Sequence, residues 1–169
     1  PFVQRFFVEI LGYRPIGSGG QSWTINDEKR TGTGSADTAL GYFEAGKKQV
    51  VAPVELKGAD TADLDAIMPG RHKSPVMQAW EYAIDTPGCE FLLVSNMVEI
   101  RLYAVGHTRQ VFESFNLVEL ADSDAAYWRF QYLLGAHRFL TGETTKLLKE
   151  SGLAEKEITN KLYRDYKAW

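Results

Sequence analysis

The 169-residue chain predicts an α/β fold: a four- or five-stranded mixed sheet flanked by helices, with a C-terminal helical extension. Three observations lead there. Apolar residues recur at helical spacing near the start of the chain and again after Ser74, and between and beyond those helices they fall in short extended runs. Two of the runs are joined by a short connection that carries a glycine, and beyond Asp122 the pattern is wholly helical. A sheet covered by helices is the layered arrangement that buries such faces.

Phe2, Val3, Phe6, Ile10 and Leu11 give an amphipathic helix over residues 2–11, with Gly12 where a helix stops. From Tyr13 to Gly34 no period is sustained, and the stretch reads as a long loop anchored by Trp23 and Ile25. Ala36–Phe43 and Gln49–Lys57 are extended runs joined by Glu44–Lys48, a β-hairpin. Gly58–Lys73 is polar and reads as a loose segment. Ser74-Pro75 sets an N-cap before a proline in the first helical position, and Thr86-Pro87-Gly88 ends that helix. Phe91–Ser95 and Glu99–Val105 follow as strands, with Ser95-Asn96 starting the turn between them, and Val111–Phe115 adds a fifth. Tyr127, Phe130, Leu133 and Leu134 then form one helical stripe, and Ile158, Leu162, Tyr166 and Trp169 another. The division expected is a core over 1–121 and a helical connector over 122–169. The last stripe has little left in the chain to pack on, and the sequence opens on Pro1 without a methionine, so a part of a longer protein is expected.

A hydrophobic share of 44%, 24% charged residues and a net charge of −3 exclude a disordered or low-complexity chain. The single cysteine, Cys89, excludes an intramolecular disulfide framework and a thiolate-rich zinc site, and fits a reducing cytoplasm. The longest apolar runs, Val50–Val54 and Phe91–Val94, fall far short of the ~20 residues that span a bilayer. No membrane partner is expected. Charge is unevenly spread, with acidic Glu113, Glu119, Asp122 and Asp124 in one stretch and Arg71, His72 and Lys73 contiguous in another.

With Gly46 at the centre of the hairpin turn, facing residues have numbers that sum to 92. Glu44 then meets Lys48, Tyr42 meets Val50 and Asp37 meets Glu55. Directly opposed like charges destabilise a sheet, so something must compensate. Lys57, two residues beyond Glu55 on the same face, neutralises one carboxylate. A hard divalent cation such as Mg²⁺ meets the remaining need, because it takes oxygen ligands, often from one or two carboxylates. Such an ion polarises a phosphodiester and lowers the pKa of a bound water, while the ammonium group orients that water or offsets developing charge. Asp37 and Glu55 are thus the candidate metal ligands and Lys57 the catalytic cation. Two ordinary charges on a solvated hairpin, with Lys57 as a salt-bridge partner, fit the spacing equally well. Pro53 cannot donate to the ladder and invites a bulge, which would change the register.

Gln78 and Tyr82 share one face of the Ser74 helix, while Val76, Ala79, Trp80 and Ala83 cover the sheet from another. The amide and hydroxyl are suited to hydrogen-bond a phosphate or the bound water, although two solvent-facing polar groups explain the pair more simply on spacing alone. Arg71 and Lys73, before the same helix, are candidate phosphate contacts, with the helix N-terminus behind them, and a solvated basic loop explains them equally well. Glu9, at the border of the first helix's apolar stripe, is an additional candidate carboxylate, although a solvated helix edge explains it as well. His107 and His137 have no partners at metal-ligand spacing and are assigned surface or packing roles. Gly17–Gly20 and Gly32–Gly34 lack the Gly-Lys-Ser/Thr and strand-to-helix context of phosphate loops, which removes nucleotide-hydrolysing and dinucleotide-binding readings.

Asp37, then Val54-Glu55-Leu56-Lys57, then Gln78-Ala79-Trp80-Glu81-Tyr82 resembles the PD-(D/E)xK nuclease superfamily with its D, ExK and QxxxY elements. More narrowly, Phe6–Tyr13, Ala36–Gly41, Glu55–Gly58, Ser74–Ala79, Val94-Ser95-Asn96 and Glu99–Tyr103 look like the N-terminal region of type IIG restriction-modification enzymes. In those single-chain proteins a nuclease precedes an adenine-N6 DNA methyltransferase. The resemblance covers almost the whole chain and implies a restriction-endonuclease-like core that hydrolyses DNA phosphodiesters with Mg²⁺. Asp37, Glu55 and Lys57 match its catalytic positions, and Gln78 and Tyr82 its helix positions. Ala36 stands where the superfamily's name has proline, a proline that is often absent.

The partners it implies are double-stranded DNA, covalently linked methyltransferase and specificity domains downstream, and a transient dimer for double-strand cleavage, in a prokaryotic cytoplasm. S-adenosylmethionine belongs only to the methyltransferase part, since no Asn-Pro-Pro-Tyr-type motif occurs here. The alternative is a catalytically inactive nuclease-fold module that binds DNA or mediates assembly. A purely structural interaction domain is the third reading.

Overall fold

The computed structural model describes residues 1–27 and 36–151. Gly32–Gly34 and the stripe of Ile158, Leu162, Tyr166 and Trp169 lie outside the described residues. The described residues pack as two compact units: one lies within Arg14–Ser114, the other is Pro1–Tyr13 with the described residues from Phe115 on.

The sheet has six strands in sequence order: β1 (Ser22–Asp27), β2 (Thr38–Glu44), β3 (Lys47–Leu56), β4 (Phe91–Ser95), β5 (Glu99–Ala104) and β6 (Glu113–Asn116). It is mixed, because β3 and β4 run parallel while β1/β2, β2/β3 and β4/β5 are antiparallel. A parallel pair needs a crossover, and helix α1 (Pro75–Asp85) lies within it. The α/β class thus stands, with one strand more than the sequence predicts. That strand is β1, which occupies part of the stretch expected to be a loop. Trp23 there stacks on Phe43 with ring centroids 6.3 Å apart, and Ile25 is buried.

The β2–β3 hairpin corrects the expected register near its turn. Only Ala45 and Gly46 connect the strands, Gly46 with φ +79°, so Glu44 faces Lys47 rather than Lys48, and Tyr42 faces Gln49 rather than Val50. The register then shifts between Leu40, which faces Ala52, and Gly41, which faces Val50, leaving Val51 as the extra residue of a bulge. Past the bulge the facing residues are Ala39 with Pro53 and Thr38 with Val54, the register expected at that end. The bulge sits at Val51 rather than at Pro53. Gly41 permits it: a Cβ there would lie 2.0 Å from the Gln49 carbonyl oxygen.

β3 is buried from Val50 to Glu55, which makes Glu55 a carboxylate in an apolar strand. α1 begins where the sequence predicts. Ser74 Oγ accepts from the Met77 N–H at 3.1 Å, and Pro75 fills the first helical position. Its buried face, Val76, Ala79, Trp80 and Ala83, packs with Leu64, Leu92, Val94 and Tyr103. Burying each large apolar side chain contributes roughly 1.5–3 kcal/mol. Leu64, fully buried, pins the 58–73 segment that the sequence reads as loose.

In the other unit the N-terminal helix, Gln4–Ile10, is wound wider than the expected α-helix, as a π-helix. The Leu11 N–H reaches back five residues to Phe6 O at 3.0 Å. Phe7, Leu11 and Tyr13 are buried, and the Tyr13 hydroxyl donates to Leu134 O at 2.9 Å. The helices after the sheet are α2 (Glu119–Asp122), α3 (Asp124–Leu134), α4 (Ala136–Leu140) and α5 (Glu143–Ser151). Phe130, Leu133 and Leu134 form the buried side of α3. No helix among the described residues is long and apolar enough to cross a membrane.

Candidate active site

The end of β3 carries Glu55 and, one residue past the strand, Lys57. The Lys57 Nζ donates to Glu55 Oε1, and both side chains are largely out of solvent, at 15% and 2% exposure. Glu55 Oε2 is buried and has no hydrogen-bond partner among the described residues. A buried carboxylate oxygen left unsatisfied is costly, roughly 1–3 kcal/mol or more for a charged group.

Asp37 arrives from the start of β2, where the ladder ends. Its N–H donates to Val54 O at 3.2 Å, and its Oδ2 accepts the Leu56 N–H at 2.6 Å. The carboxylate thus reaches across to β3 and takes a backbone donor there. Burial pushes the Glu55 carboxyl up from its ordinary value, and the charge of Asp37 adds to that rise. The Lys57 hydrogen bond, and the charges of Lys57 and Arg71, oppose it.

These residues fit a hard divalent cation. The buried Oε2 is an oxygen donor in need of positive charge, a second carboxylate stands close enough to repel it, and oxygen donors are what Mg²⁺ prefers. Among the described residues there is no group of three or more His, Cys, Asp or Glu that could hold a metal, so the set amounts to two acids and a cation.

Gln78 and Tyr82 line an open groove of about 400 Å³ along α1, together with Arg71, His72, Lys73, Glu81 and Asp85. Arg71 Nη1 donates to Gln78 Oε1 at 3.3 Å, and Lys73 Nζ pairs with Glu81. The N-terminus of α1 offers little to an anion. Pro75 has no N–H, the Val76 N–H donates to Leu64 O at 3.2 Å, and the Met77 N–H is taken by Ser74. A phosphate here would be met by side chains alone.

Glu9 belongs to the other unit, where it accepts from Arg5 Nη1 at 2.6 Å on an exposed helix face, and that hydrogen bond holds its carboxyl below the usual range. His107 and His137 are exposed. Burial pushes the Cys89 thiol up to about 12, so it is no nucleophile at neutral pH.

Glu81 and Asp85 of the groove were not singled out by motif, yet they lie three and seven residues beyond Gln78, the spacing that shares a helix face. That spacing was the available signal. Comparison with known proteins adds no relative: no family model matches the chain, and neither a curated protein nor a solved structure matches it.

Proposed function

We propose that the chain is a Mg²⁺-dependent endonuclease that hydrolyses DNA phosphodiester bonds, the cleavage part of a restriction-modification enzyme. The observation that supports it most is Glu55 Oε2, a buried carboxylate oxygen without a hydrogen-bond partner among the described residues, on a side chain that pairs with an ammonium group and feels the charge of a second acid.

Asp37 and Glu55 are the residues that would hold the ion. When bound, Mg²⁺ supplies charge neutralisation at the phosphodiester and a water of lowered pKa. Lys57, already anchored on Glu55, keeps its ammonium group where it can orient a water or offset negative charge on the phosphoryl oxygens. Gln78 and Tyr82 present an amide and a hydroxyl to the groove, suited to a phosphate oxygen. Arg71 and Lys73 supply the positive charge that retains a DNA backbone and releases counterions.

The resemblance to type IIG enzymes supports duplex DNA as substrate, with target choice made by linked domains. The test is cleavage of supercoiled plasmid by the intact protein in Mg²⁺. Glu55→Ala and Lys57→Ala should abolish nicking while the far-UV circular dichroism is retained. Full activity in either variant ends the proposal. An inactive DNA-binding module would instead show no calorimetric Mg²⁺ or Mn²⁺ signal and unaltered DNA binding in Asp37→Ala.

A further inference from the structure

Lys57 lies outside β3, on the first residue of the segment that leads to α1, where no ladder confines it. Its backbone is nevertheless held. The Lys57 N–H donates to Ser95 O at 2.7 Å, which carries the hydrogen bonding between β3 and β4 one residue past Leu56. Ser95 opens the turn to β5, and two buried side chains brace that turn. Ser95 Oγ donates to Glu99 O at 2.8 Å and accepts from the Met97 N–H at 3.0 Å. Asn96 Oδ1 accepts from the Val98 and Glu99 N–H groups at 3.1 and 2.9 Å.

Asn96 has a further bond that the turn does not require. Its Nδ2 donates to Thr61 O at 2.9 Å, across to the segment that leaves Lys57. That segment is already curled by a Thr61 N–H to Gly58 O bond of 3.0 Å. Both ends of the Lys57–Thr61 stretch are therefore tied to one turn: Lys57 through Ser95 O and Thr61 through Asn96. Asn96 is 5% exposed and Ser95 fully buried, so water does not compete for these bonds. Backbone tethers of this kind restrict where a flexible four-carbon side chain can carry its charge.

We propose that Asn96 is a positioning residue for Lys57, its carboxamide clamping the β4–β5 turn to the segment that follows Lys57 and so fixing the ammonium group against Glu55. The proposal rests on the reading of Lys57 as the catalytic cation. Displacement of a catalytic group by about 1 Å costs up to roughly a hundredfold in rate.

Asn96→Asp separates the two jobs of the side chain, since it keeps the two acceptor bonds within the turn and loses the donor to Thr61. In the intact protein we expect the nicking kcat to fall about ten- to a hundredfold, with KM for DNA and calorimetric Mn²⁺ affinity unchanged. Amide hydrogen exchange should quicken at Lys57 and stay slow at Leu56, whose N–H is held by Asp37. Ser95→Ala, which loosens the same turn without a new charge, should show the same pattern and replaces Asn96→Asp if that variant fails to fold. Unchanged kcat and Lys57 protection beside an inactive Lys57→Ala overturns the proposal and leaves the nuclease reading standing. So does a loss confined to KM or Mn²⁺ affinity. A fully active Lys57→Ala instead removes the nuclease reading itself, a result distinct from either.

Discussion

The Leu56 N–H donates to Asp37 Oδ2 at 2.6 Å, joining the chain just before β2 to the last residue of β3. A side chain here replaces the backbone acceptor that a continued ladder would supply, and in doing so it turns the carboxylate toward the strand that carries Glu55. Asp37→Asn keeps an oxygen that can accept this bond and loses the charge. Its stability should change by less than about 1 kcal/mol in urea denaturation, while the calorimetric Mn²⁺ signal disappears. Asp37→Ala loses the bond as well and should unfold at lower urea. Retained Mn²⁺ binding in Asp37→Asn would show that the charge of Asp37 is not part of an ion site.

Glu55 should stabilise the fold more when it is neutral than when it is ionised. Its carboxyl is raised above the ordinary 4.5, so in the absence of metal its contribution is fully present below that pH and is lost as the pH rises through the folded-state value. Glu55→Gln mimics the neutral form and still accepts from Lys57. In metal-free buffer the variant should gain stability relative to the parent as the pH rises above 4.5, although it cannot cleave DNA. Equal or lower stability of Glu55→Gln at pH 7 would mean that burial of this carboxylate carries no net cost.

Gly41→Ala tests the bulge. The added Cβ would press on the Gln49 carbonyl at 2.0 Å, a backbone atom that cannot rotate aside. Loss of about 2–3 kcal/mol is expected in thermal or urea unfolding. A one-residue change in the hairpin register would move side chains to the other face, so Mn²⁺ binding should fall in the fraction that remains folded. Gly46→Ala, at the turn with φ +79° but nothing within 4 Å, should cost less, about 1 kcal/mol, and leave Mn²⁺ binding intact.

These positions also mark what the sequence made legible. α1 was readable to the residue because Ser74-Pro75 is a local signal, and local signals survive folding. The hairpin register was not, because it depends on a bulge whose cause, the close approach of Gly41 to Gln49, is a contact between strands. Counting from Gly46 gave the right pairing beyond Leu40 since the one-residue bulge offsets the shorter turn. β1 escaped notice because a register shift between Trp23 and Ile25 breaks it and glycine-rich residues precede it, which leaves no run long enough to show alternation. The buried state of Glu55 was likewise hidden: an ExK pattern is the same on a solvated strand, and whether the side chain leaves water depends on what packs over that face of the sheet.

Salt dependence of DNA binding distinguishes the groove's charges from one another. Lys73 is paired with Glu81 on α1, about half exposed on both sides, whereas Arg71 donates to the neutral amide of Gln78. A phosphate must displace a hydrogen-bonded carboxylate from Lys73, whereas from Arg71 it displaces an amide, with the charge of Glu55 also acting on Arg71. Arg71→Ala should therefore weaken binding to a short duplex and lower the slope of log K against log salt by about one contact. Lys73→Ala should lower it by less, because part of that charge is already spent within the protein. Glu81→Gln releases Lys73 and removes a carboxylate from the phosphate's path, so it should tighten binding several-fold at low salt and steepen the slope by up to about one contact. Filter-binding titrations from 50 to 200 mM salt read all three. Equal slopes for Glu81→Gln and the parent would show that Lys73 does not reach the DNA backbone.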